Sequence, residues 1–262
     1  MLSSLRNPPS RTSPRSSEIT YLEVSHAGET YRITLKRIAS ARRFTLRVRT
    51  ATRDVVLTMP PRSSIAGARS FAEAHAAWIG ARLEHLPKPM AFGAGEVVPI
   101  RGINHIIVRK PHERGTAWIE PGRKSVGASM LPQLCVAGGP EHVARRVKDF
   151  LIREAKRDLE TAVMRYAAKI GVAPRRITLR DTTSRWGSCS STGSLNFSWR
   201  LVMAPSFVLD YLAAHEVAHL LYMNHSPAFW KVVGKLTKEV DRGEAWLKAN
   251  GAGLLRFGPF KT

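Results

Sequence analysis

The stretch "AAHEVAHLLYMNHSPAFW", residues 213–230, holds three of the chain's nine histidines, with Glu216 directly after the first. Positions i and i+4 of a helix lie one turn apart on the same face. His215 and His219 therefore project to one side, close enough to share a cation, and Glu216 sits one step round from them. This is the HExxH arrangement: two neutral imidazoles for Zn²⁺ and a carboxylate able to take a proton from water. The flanking "FVLDYLAA" and "LLYM" are strongly apolar. Unpartnered imidazoles and a carboxylate in such a helix would suffer desolvation with nothing to offset it. A third histidine, His225, follows a short loop where the chain reverses, which would leave one coordination position open for water. Glu239 and Glu244 are the competing carboxylate ligands, and His225 is preferred as the commoner partner at this short spacing.

Working outward, Ser206 reads as the cap of the helix "FVLDYLAAHEVAHLLYM", which Asn224 to Ser226 break. Ser226 and Pro227 are a cap and first-turn pair that opens a helix through "AFWKVVGKLTKEV". Upstream, "RRITLRD" reads as a strand and "RWGSCSSTGSLNFSWRLVMA" as a hairpin turning at "SSTGS". "EHVARRVKDFLIREAKRDLETAVMRYAAKI" is a long amphipathic helix, ended by Gly171 and Pro174. The "AGGP" at 137–140 marks a change of texture. Before it, "ITYLEV", "TYRITLK", "RFTLRVR" and "DVVLTMP" alternate as short strands, with Gly28 turning the first two into a hairpin. An Ala-rich helix, "IAGARSFAEAHAAWIGARLEHL", follows behind Ser63 or Ser64, and β-like pieces return from Phe92 to Val136. No internal repeat is visible. The expectation is an α+β chain: a basic tail over 1–17, read as disordered; a β-rich domain with one helix over 18–139; and a helix–strand–helix domain over 140–262.

The chain has 262 residues, 44% hydrophobic, enough for a sizeable core, and no apolar run long enough to span a bilayer. Its start lacks the apolar segment of a secretory signal. Two distant cysteines, Cys135 and Cys189, form no disulfide framework and fit a reducing cytoplasm. The net charge of +21 predicts attraction to polyanions, nucleic acid among them, with Arg42, Arg43, Arg47 and Arg49 clustered in the β-rich part. Tyr21, Tyr31 and Phe44 sit in strand patterns and read as core rather than as base-stacking platforms. Weak, sequence-blind binding follows from that pattern.

"RDTTSRWGSCSSTGSLNFSWRLVMAP", "LDYLAAHEVAHLLYMNHSPAFWKVV" and "AWLKANG" closely resemble the YgjP-like metal-dependent hydrolases, zincin metallopeptidases related to the SprT-like and WLM families. The likeness is strongest from Leu179 to Gly251 and continues weakly through "RFTLRVR", "VVLTMPPRSS" and "AEAHAAWI". It implies a SprT-like fold, His215, His219 and His225 as metal ligands, and Glu216 as catalytic base. The expected activity is zinc-dependent hydrolysis of peptide bonds in a polypeptide substrate. Two rivals stand beside it: a DNA-associated protease acting on DNA-bound proteins, and a non-catalytic module whose metal is structural. Trp186 to Ser190 reads as a strand bordering the cleft or as a purely structural hairpin. Cys189 reads as a small buried residue in preference to an inhibitory thiolate. No oxyanion donor is identified: Tyr211, one turn before His215 on the same face, and Arg185, before the hairpin, are equally well explained by core packing and by solvent exposure.

Overall fold

The computed structural model describes residues 20–50, 52–122 and 131–258, so the tail expected over 1–17 lies outside the described residues. The fold is α+β, and it divides into two compact units: residues 20–48 with 54–82, and the remainder. No helix among the described residues is long and apolar enough to cross a membrane.

In the first unit, β1 (Thr20–His26), β2 (Glu29–Arg37), β3 (Thr45–Val48) and β4 (Val55–Met59) form one sheet in the order β1-β2-β4-β3. Ala27 and Gly28 turn the first hairpin with φ of 50° and 84°, the left-handed pair that a two-residue loop between twisted strands requires. β2 pairs parallel with β4, while β1–β2 and β3–β4 are antiparallel. The helix expected over 65–86 is two helices. α1 (Ile65–Ala74), capped by the Ser64 side chain on the Gly67 N–H, gives way at His75 to α2 (Ala76–Glu84). Tyr21 is no core residue; it is 45% exposed, with the Arg32 guanidinium 4.1 Å above its ring.

The second unit repeats that strand order. β5 (Val97–Ile100), β6 (Ile103–Lys110), β7 (Ala117–Glu120) and β8 (Gln133–Ala137) run β5-β6-β8-β7, with β6–β8 parallel and the outer pairs antiparallel. Its first hairpin again turns on two residues of positive φ, Arg101 at 51° and Gly102 at 79°. Each sheet is followed by helix. The internal repeat that the sequence does not display is therefore present in the topology.

Behind the second sheet runs α3 (Val143–Lys169), about 40 Å long at 1.5 Å per residue. Its first half packs Val143, Val147, Phe150 and Leu151 with Val98, Ile107 and Leu134 of the sheet. Its second half gives Leu159, Val163 and Tyr166 to another cluster, with Leu195, Phe197, Leu212 and Val217. Glu154, buried on α3, is met by Arg101 at 2.9 Å and by Arg157, and Arg101 also grips Asp158 at 2.7 Å. Those ion pairs satisfy a carboxylate that would otherwise be stranded in the core.

A three-stranded sheet completes the unit. β9 (Arg176–Arg180) pairs parallel with β11 (Ser194–Ser198), which pairs antiparallel with β10 (Gly187–Cys189), so β10 is an edge. Residues 199–203, expected as the end of the hairpin, form a buried 3₁₀ turn instead. Then come α4 (Ser206–Ala218), α5 (Pro227–Leu236) and α6 (Val240–Leu254).

Candidate metal centre

α4 is apolar over most of its circumference and accordingly mostly buried: Val208, Leu209, Leu212, Ala213, Ala214, Val217 and Ala218 are all core, while Asp210 pairs with Arg165. His215 occupies its last turn. The helix stops at Ala218, five residues short of the end expected from the sequence, and His219 is its C-cap, its N–H turned back to the carbonyls of His215 and Val217. The chain then reverses. Ser226 caps α5 by accepting the Phe229 N–H, and Pro227 follows in the first turn, so the backbone just after His225 is fixed. Phe229, fully buried, packs its ring against all three imidazoles at 4.4–5.0 Å.

These elements bring His215, His219 and His225 together, with one potential ligand atom from each lying within 4.8 Å of the others. The Nε2 atoms of His215 and His225 face each other at 3.1 Å. Two of the outer nitrogens are spoken for: His219 Nδ1 lies 2.9 Å from the Tyr222 carbonyl, and His215 Nδ1 lies 3.5 Å from the Tyr211 hydroxyl. A carbonyl only accepts, so His219 carries its proton on Nδ1 and leaves Nε2 free to bind. Burial, with His219 and His225 adding to it, pushes His215 down to about 4, and burial lowers His219 in the same direction. Neutral imidazoles are the form that ligates a cation.

Glu216 lies in the buried wall beside them. Burial raises its carboxyl to about 8, with Arg185 opposing, and its Oε2 finds no hydrogen-bond partner among the described residues. An orphaned carboxylate oxygen next to three converging imidazoles is what a site for a divalent cation and its water would leave. The donor set, three neutral nitrogens, suits zinc.

β10 forms the other wall. A Cβ placed on Gly187 would stand 2.8 Å from Glu216 Cγ, so the strand can cross the carboxylate only because residue 187 has no side chain. Cys189 keeps its proton: burial and the nearby Glu216 push the thiol up to about 11, and it donates to the Ser190 carbonyl. It is not part of the histidine group. Of the competing carboxylates, Glu239 pairs with Arg242 at 3.3 Å and Glu244 accepts from the Tyr211 hydroxyl at 3.3 Å, and neither joins the group. Sequence reasoning passed over the rings of Phe229 and Trp230, although both fall within five residues of His225. It also missed the pairing of Tyr211 with Glu244, whose only signal was the tyrosine one turn before His215.

The crystal structure of the metallopeptidase zymogen of Pyrococcus abyssi abylysin is similar to part of this chain, at 18% identity and a TM-score of 0.33, over 35% of this chain and 93% of that one. No curated protein matches the sequence. The family model for the YgjP-like metallopeptidase domain matches residues 42–250, across both compact units and the whole histidine cluster. On that match, the chain belongs to the YgjP-like family and is a metallopeptidase.

Proposed function

We propose that the chain is a zinc peptidase in which His215, His219 and His225 hold the metal through Nε2 and Glu216 is the general base. The observation that carries this reading is the convergence of three imidazoles beside a buried carboxylate whose Oε2 has no partner. Zinc bound there would supply Lewis acidity to a water and to the scissile carbonyl. Glu216 takes the proton of the attacking water and hands it to the departing amine, one carboxylate serving both transfers. Glu216, raised by burial in the metal-free protein, would be held ionised as a base with a dication beside it. Phe229 and the apolar body of α4 keep bulk water from the back of the imidazoles. β10, an edge strand of its sheet, offers backbone groups to which an extended polypeptide can pair, beside Glu216. Against a purely structural metal, the group among the described residues offers three ligands, not the four of a closed site.

The test is metal analysis together with hydrolysis of an unfolded protein substrate. Wild type is expected to hold about one zinc per chain, as catalytic sites of this type do. Glu216→Gln should keep the zinc and lose hydrolysis by two orders of magnitude or more, on the order of a general-base contribution. His225→Ala should bind zinc far more weakly than Glu239→Ala. Near-wild-type hydrolysis by Glu216→Gln rules out the assigned base, and unchanged zinc in His225→Ala rules out the third ligand.

A second reading, that polypeptides are met on nucleic acid, is favoured by one feature of the first unit. A cavity of about 350 Å³ is lined by Arg43, Phe44, Phe71, His75 and Trp78, without an acidic residue. Phe44 stacks on Phe71 at 5.4 Å, the His75 ring lies tilted against Phe71 at 4.3 Å, and Trp78 is 48% exposed. Flat rings beside guanidinium groups suit single-stranded bases and their phosphates.

A further inference from the structure

We infer that Tyr211 and Glu244 form a relay that sets the tautomer of His215 and thereby the strength with which the centre holds its metal. The inference rests on the proposed metal site and adds two residues to it, both as positioning residues.

His215 turns Nε2 toward His225 at 3.1 Å, so the nitrogen facing away is Nδ1, and it faces the Tyr211 hydroxyl. That hydroxyl in turn lies 3.3 Å from Glu244 Oε1. A carboxylate accepts and cannot donate, so the Tyr211 O–H points at Glu244. The hydroxyl's lone pair is then left for the Nδ1–H of His215. The chain of donors runs one way, from imidazole to phenol to carboxylate, and it leaves Nε2 deprotonated toward the centre. His219 reaches the same state by a simpler route, through the Tyr222 carbonyl. Only the His215 side ends on a charge. A carboxylate at the end of such a chain makes the imidazole a stronger donor to a cation than a carbonyl does.

The fold shows a second, independent sign that this approach is built in. Tyr211 is 3% exposed on α4, and Glu244 belongs to α6, in the following helix pair. Their approach depends on Gly243, where a Cβ would stand 2.5–2.6 Å from the Tyr211 ring and 2.8 Å from its Cβ. A helix interior disfavours glycine, yet any side chain here would drive α6 off the ring and carry Glu244 away from the hydroxyl. The glycine is the spacing that the relay needs.

The experiment measures zinc dissociation constants by competition with a chromogenic chelator, on the full chain, for wild type, Y211F, E244Q and the double variant. Melting of each metal-free protein is followed alongside. Y211F keeps the buried ring, and E244Q alters one oxygen near the surface, so metal-free melting should stay near wild type. Each single variant is expected to weaken zinc binding about 10- to 100-fold, the range for loss of an outer partner of a metal-bound histidine. The double variant should be no weaker than Y211F alone, because Glu244 acts only through the phenol. A purely packing role would instead make the two effects multiply. Zinc affinities of both single variants within twofold of wild type, or a double variant whose effect is the product of the singles, overturn the relay. If wild type takes up no zinc at all, the metal reading has failed and the relay falls with it, a result distinct from wild type and variants binding equally well.

Discussion

Glu216 and His215 are neighbours in sequence and opposites in titration, and the pH behaviour of the metal-free protein follows from the pair. Glu216 stands near 8 in the fold against an ordinary 4.5, so the fold binds more protons than the unfolded chain between those values. Its contribution to stability is therefore fully present below 4.5 and is lost as pH climbs toward 8. His215 stands near 4 against an ordinary 6.5, so the unfolded chain binds more protons across that window, and its contribution is lost as pH falls from 6.5 to 4. Removing the carboxylate should abolish only the first effect. Metal-free Glu216→Gln is expected to exceed metal-free wild type in stability by roughly 1–3 kcal/mol at pH 8 and by little at pH 4.5, measured by urea unfolding at both values. An equal difference at both pH values would mean that the carboxyl is not desolvated. With zinc bound, the difference at pH 8 should shrink, because a dication favours the charged carboxylate.

The elements hold the site by close approach. Gly187 lets β10 cross Glu216, and a methyl group there has nowhere to go without moving the strand or the carboxylate. Gly187→Ala is expected to retain zinc, lose most hydrolysis, and cost about 1–3 kcal/mol of stability, as overpacking of a filled site does; metal analysis, peptide hydrolysis and thermal melting check the three parts. Full activity in that variant would mean that β10 and Glu216 are not held against each other. The sequence was legible where a local rule decides. HExxH spacing placed His215 and Glu216 on one apolar helix with His219 at its end, and Ser226–Pro227 located the start of α5. It was opaque where distant packing decides. Nothing in "AEAHAAWI" marks His75 as a break, and nothing in "AHLLYM" ends α4 at Ala218, since both runs keep helical composition through the stop. The duplicated strand order escaped for a related reason. Only alternation, a turn residue and a following helix need recur for the topology to recur, and "SHAGET" shares with "IRGIN" little beyond a glycine in the left-handed region.

At the scale of the whole molecule the dominant quantity is charge, +21 over 262 residues. Charge alone attracts any polyanion and distinguishes none. What narrows the first unit is the combination of Arg43 with the packed rings of Phe44, Phe71 and His75 and with the half-exposed Trp78, beside a wider hollow lined by Arg42 and Arg43. Neither lining contains a carboxylate to neutralise the guanidinium groups. If bases stack there, single-stranded DNA should bind more tightly than a duplex of equal charge, and Trp78 should matter as much as the arginines. Fluorescence anisotropy of a labelled single strand at two salt concentrations separates these contributions. Arg42→Ala with Arg43→Ala should lower the salt slope by roughly 0.7 for each phosphate that is no longer neutralised. Trp78→Ala should weaken binding by about 1–3 kcal/mol, the usual worth of a stacked base, with the slope unchanged. Equal affinity for single and double strands, together with a Trp78→Ala variant that binds as wild type does, would reduce the interaction to charge alone and remove the first unit as a nucleic-acid site.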